Sequence, residues 1–137
     1  MRRSMLLLAP LLLAGCVNDS ASYYLNGSDH AVTVRAEQEY FWSDDATLYV
    51  TLSNLPDCQR RLPLDHEPAS EFEVALYQVA DNTFVLRSPK GAWQVETATC
   101  TQLGAPAKDL AGEKLGSYKI VDDKMVFEPA TAPAKPR

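Results

Sequence analysis

Thr47-Leu48-Tyr49-Val50-Thr51-Leu52 decides the fold class. Leu48, Val50 and Leu52 alternate with Thr47, Tyr49 and Thr51, so the aliphatic side chains share one face of an extended chain. Upstream, Val32, Val34 and Ala36 alternate in the same way with Thr33, Arg35 and Glu37. Tyr40-Phe41-Trp42 continues or caps that strand. With Tyr49 and Trp93 it is expected mainly in the core, since aromatic rings dominate burial, and an exposed binding platform is the alternative. Downstream, Phe72, Val74 and Leu76 define a further strand, followed by Phe84 to Arg87 and by Ala92 to Cys100. Short turns join these three into a meander. Tyr118-Lys119-Ile120-Val121 and Lys124-Met125-Val126-Phe127 read as a hairpin around Asp122-Asp123. That turn lacks the preferred Gly, which leaves room for a longer loop.

Short strands punctuated at this spacing predict an all-β domain, a small antiparallel sandwich or barrel. The alternative is α+β, with a helix in 64–75 or 103–115. Asp109 to Lys114 has room for one helical turn. Cys58 to Ser70 contains Pro63 and Pro68 and shows no clean period, so it reads as an ordered surface loop pinned at Cys58. No later stretch is long and apolar enough to span a bilayer, which takes about 20 residues.

The first sixteen residues carry a different signal. Arg2-Arg3 precedes an apolar run from Met5 to Leu13, and Leu13-Ala14-Gly15-Cys16 follows. Basic, apolar and small segments in that order make a cleavable signal. The terminal Cys resembles the lipobox of bacterial lipoproteins. The resemblance implies removal of residues 1–15, a diacylglyceryl thioether on Cys16 and acylation of the new amine. Val17 in the next position, where Asp marks inner-membrane retention in enteric-type bacteria, implies transfer to the outer membrane facing the periplasm. The expected organisation is a signal peptide at 1–15, a lipid-anchored tether at 16–28, a β-rich periplasmic domain at 29–128 and a disordered tail at 129–137. The domain resembles small proteobacterial lipoproteins with a single disulfide.

Cys58 and Cys100 then remain as an even pair in an oxidising compartment, and a structural disulfide is expected. A zinc site built from both thiolates with His30 and His66 is the rival, but the spacing matches no zinc pattern. The precursor has 13 basic and 18 acidic residues, a net charge of −5, and cleavage removes two of the arginines. This balance argues against nucleic acid, which needs a basic face.

Candidate chemistry is sparse. Asp65-His66-Glu67 is a run of polar neighbours whose side chains diverge in an extended chain. No metal and no cofactor is expected, and no nucleophile pattern accompanies the histidines. Gln59-Arg60-Arg61 is the best candidate contact site: paired guanidinium groups beside a disulfide bind carboxylate or phosphate well. The alternative spends both arginines internally on Asp57, Asp65 or Glu67. The expected function is a non-enzymatic, lipid-anchored envelope protein that binds a protein or peptidoglycan partner. The alternatives are an inhibitor or sensor meeting a basic partner, lysozyme-inhibitor-like in size and lipobox but without the Ser-Gly-x-x-Tyr segment, and an envelope hydrolase.

Overall fold

The alternation around Leu48 becomes the inner face of a β-sandwich. The computed structural model describes residues 16–108, 110 and 112–130. The expected signal peptide and most of the expected tail therefore lie outside the described residues, as do Asp109 and Ala111. Within them, β1 (Asn18–Tyr24), β2 (His30–Gln38), β3 (Asp45–Asn54) and β4 (Cys58–Pro68) pair in chain order as a four-stranded antiparallel sheet. A second sheet uses β5 (Glu73–Ala80), β6 (Thr83–Ser88), β7 (Gly91–Glu96), β8 (Thr101–Gln102), β9 (Glu113–Val121) and β10 (Lys124–Pro129). Its six strands lie in the order β10-β9-β5-β6-β7-β8 and are all antiparallel.

The inner faces supply one apolar interior. Val32, Val34, Leu48, Val50 and Leu52 from the first sheet meet Val74, Leu76, Phe84, Leu86 and Tyr118 from the second. Each such aliphatic or aromatic side chain, fully buried, contributes about 1.5–3 kcal/mol. The Tyr118 hydroxyl, inside this interior, donates to the Val32 carbonyl at 2.6 Å and so bonds one sheet to the other. Burial pushes the Tyr118 phenol pKa far up, which keeps the hydroxyl a donor. On one flank β1 lies beside β10, where Asp19 Oδ2 accepts the Met125 amide at 3.0 Å.

Three expectations need correction. Residues 16–28 are not a free tether: Asn18–Tyr24 is a strand with every residue in register on β2. Its Asn, Asp and Ser residues are poor strand formers, and pairing with β2 overrides that preference. Cys58 to Ser70 is not a loop either. Cys58–Pro68 is β4, an edge strand with a bulge opposite Leu48 and Tyr49, and Ala69 and Ser70 begin a 3₁₀ turn. The bulge breaks the period, and an edge strand tolerates Pro63 and Pro68 because it needs no second ladder of hydrogen bonds. The α+β alternative fails as well. Within 64–75 the only helical piece is a 3₁₀ turn at Ala69–Glu71, and the described part of 103–115 is irregular until β9 begins.

The final hairpin is tight. Lys124 pairs with Val121, so only Asp122 and Asp123 form the turn, both at positive φ (51° and 63°). Aspartate tolerates this left-handed geometry well enough to replace the missing Gly. Pro129 ends β10 and the Ala130 amide donates to the Leu115 carbonyl at 2.9 Å. These two residues, expected in the tail, belong to the domain.

Cys58 and Cys100 form the disulfide, with Cα atoms 6.0 Å apart. It ties the start of β4 to the turn between β7 and β8, and hence one sheet to the other. The Glu96 carboxylate organises that turn by accepting from the Thr99 hydroxyl and from the Ala98 and Thr99 amides. Those bonds, the Thr99 hydroxyl first, hold its pKa below the usual range. The half-cystines are 42 positions apart. Replacing both by alanine should lower the unfolding free energy by about 4 kcal/mol on the chain-entropy model. Urea titration of the two proteins by far-UV circular dichroism checks this, with β-sheet signal retained in the absence of denaturant.

Candidate functional site

The cationic cluster expected at Gln59-Arg60-Arg61 is divided by the strand that carries it. Successive residues of β4 point to opposite faces. Arg61 stands on the outer face of the sheet, opposite Thr51, while Arg60 lies opposite the buried Leu52 at the exposed edge. Gln59 shares the Arg61 side and donates to the Ser53 hydroxyl at 3.1 Å.

Arg61 instead joins a group drawn from three strands. Its Nη2 lies 2.8 Å from Glu37 Oε1, and Arg35 Nε reaches the same oxygen at 2.9 Å. Arg61 also lies over the Tyr49 ring, 3.9 Å from its centroid. Glu37 is thus the partner of Arg61, in place of Asp57, Asp65 or Glu67. The register explains the grouping: Arg35 pairs with Tyr49 and Glu37 with Thr47. Two guanidinium groups share one carboxylate, so the cluster keeps one positive charge. The Arg35 hydrogen bond is the largest cause holding the Glu37 carboxyl below its usual pKa, with Arg61 adding to it. Because that pKa is lowered on folding, Glu37 supports the native state at neutral pH. The support is lost as pH falls from the ordinary carboxylate range through the lowered midpoint.

Asp65, His66 and Glu67 separate as well. His66 Nδ1 sits 2.9 Å from Asp45 Oδ2 on the surface. Glu67 turns inward, is buried, and accepts a hydrogen bond from the Ser88 hydroxyl. His30 is at the other end of the sheet, paired with Asn54 whereas His66 pairs with Thr47. Its Nε2 lies 3.0 Å from Thr97 Oγ1, which in turn contacts the Asn82 carbonyl at 3.2 Å. The histidine thus bridges the two sheets near the disulfide. Beside it opens a cleft of about 400 Å³ lined by Tyr23, Leu25, Asn26, Gln78, Asp81 and Phe84 among others. Among the described residues no three His, Cys, Asp or Glu side chains are grouped to hold a metal ion.

The chain matches no protein-family model, no curated protein and no solved structure.

The aromatic run departs most from expectation. Tyr40, Phe41 and Trp42 form the connection between β2 and β3 and are 46%, 61% and 70% exposed, so they are not core. A six-residue link between neighbouring antiparallel strands cannot fold three consecutive rings back into the interior. They pack on one another instead. Tyr40 stacks on Trp42 at 4.8 Å, and Phe41 meets Trp42 edge-on at 4.9 Å. The loop is braced: Gln38 Nε2 donates to the Ser43 carbonyl, and the Asp44 carboxylate accepts the Ser70 amide at 2.8 Å and the Ser70 hydroxyl at 2.5 Å. Those Ser70 bonds, the hydroxyl first, lower the Asp44 pKa.

Unequal support from the two arginines is measurable. Arg35→Ala should raise the Glu37 carboxyl midpoint more than Arg61→Ala does. Both should change stability by no more than about 1 kcal/mol, as surface pairs do. Carboxyl-detected NMR titration with thermal melting reads both quantities.

Proposed function

We propose that the chain is a lipid-anchored, non-enzymatic binding domain of the bacterial cell envelope, held on the periplasmic face of the outer membrane. The observation that carries this reading is the state of Cys16. It is exposed and free, while Cys58 and Cys100 are spent on each other. It also follows Leu13-Ala14-Gly15 and precedes the first residue of the core by no gap, since Val17 is 4% exposed. A disulfide between the sheets suits an oxidising compartment. Two or more acyl chains give a stable anchor where one gives marginal binding.

The binding partner is a protein or peptidoglycan. The outer face of the four-stranded sheet is the surface offered to it, with Arg35 and Arg61 held by Glu37 and Arg61 laid over the Tyr49 ring. Guanidinium groups held in place lose little freedom on contact, so a carboxylate-bearing partner is favoured there.

Cys16→Ser should abolish incorporation of a clickable palmitate analogue in growing cells and leave an uncleaved or mis-anchored precursor. Equal labelling of both proteins would contradict the anchor.

A further inference from the structure

We propose that Tyr40, Phe41 and Trp42 form a foot that seats the domain on the zwitterionic headgroup layer of the bilayer that holds Cys16. The proposal rests on the lipid-anchor reading and adds a second, protein-borne contact with the same membrane.

Geometry ties the foot to the anchor. The Gln38 amide donates to the Val17 carbonyl at 2.7 Å, and the Val17 amide donates to Gln38 Oε1 at 3.1 Å. Gln38 is therefore bonded to Val17 on one side and, through its Nε2, to the Ser43 carbonyl closing the aromatic loop on the other. Val17 is buried in the core cluster. Cys16 precedes it by one peptide link, about 3.8 Å between Cα atoms. No slack separates the lipidated residue from the folded body. A bilayer that takes up acyl chains from Cys16 must then abut the end of the sandwich where the three rings project.

The chemistry of the loop fits that place. Tyr and Trp concentrate at membrane–water interfaces because each has an apolar ring and a polar handle. Phe41 adds a wholly apolar ring beside them. The rings touch one another, so their exposed surface is one patch. The bonds from Gln38 and Asp44 hold the loop in its presenting conformation, which reduces the ordering cost of contact.

Charge selects the lipid. Glu39, Asp44, Asp45, Asp122 and Asp123 are exposed at this end, against Lys124 in the final hairpin and Lys90 in the turn between β6 and β7. An acidic rim is repelled by anionic lipid and tolerated by zwitterionic headgroups.

The test uses full-chain protein purified from membranes and reconstituted into phosphatidylcholine vesicles with brominated acyl chains, with Trp42→Ala alongside. Trp42 is 70% exposed and bonded into no core contact, so its removal should leave the fold intact. Mass spectrometry of the Cys16 peptide reports acylation in the same preparation. The expected result is acylated protein that loses Trp emission in brominated vesicles, with that loss absent in Trp42→Ala, where only Trp93 emits. Acylated protein whose emission is the same in brominated and ordinary vesicles overturns the foot, keeps the anchor and leaves the aromatic loop to a protein partner. An unacylated Cys16 overturns the anchor and the foot with it.

Discussion

The two sheets share one apolar interior, and the rest of the molecule is placed by what that interior claims. Leu48, Val50 and Leu52 are fully buried against Leu76, Phe84 and Leu86, and Tyr118 reaches across to the Val32 carbonyl. The same interior takes Val17, which closes the register between β1 and β2 at the end where the described chain starts. Burying Val17 removes the linker that would otherwise separate Cys16 from the fold. A lipid on Cys16 would then fix the orientation of the whole body, because a strand rather than a flexible tether follows it.

The ends of the sandwich differ in kind. One holds the disulfide and the His30–Thr97 contact, which tie sheet to sheet, and the Glu96-capped turn that carries Cys100. The other holds Cys16, the aromatic loop and the Asp122–Asp123 turn. Between them runs the outer face of the four-stranded sheet with its shared carboxylate and two guanidinium groups. Seating one end on a membrane leaves that face upright and open along its length. Ten residues of β3 at about 3.3 Å each would carry its far edge roughly 33 Å from the lipid surface.

Much of the fold was legible because strict alternation leaves little freedom. Leu48 to Leu52, Val32 to Ala36, Val74 to Leu76 and the final hairpin all lie where their period put them. The disulfide pairing also followed from the residues, there being two cysteines left once Cys16 is set aside. What was illegible depended on partners distant in sequence. β1 is made a strand by β2, not by its own Asn, Asp and Ser residues. β4 hides behind two prolines and a bulge that only its edge position permits. The cationic cluster needed the cross-strand register: Arg61 is next to Arg60 in sequence but meets Arg35 and Glu37 in space. Three consecutive aromatics could have signalled a loop, since an alternating strand cannot bury neighbours on one side.

Neutron reflectometry of the reconstituted protein on a supported bilayer reads the seating of the domain. Protein density should begin at the headgroup layer, without an intervening water layer, and extend roughly 33 Å outward, the length expected of a ten-residue strand standing upright. A water-filled gap between headgroups and protein would show that Val17 does not hold the domain against the membrane.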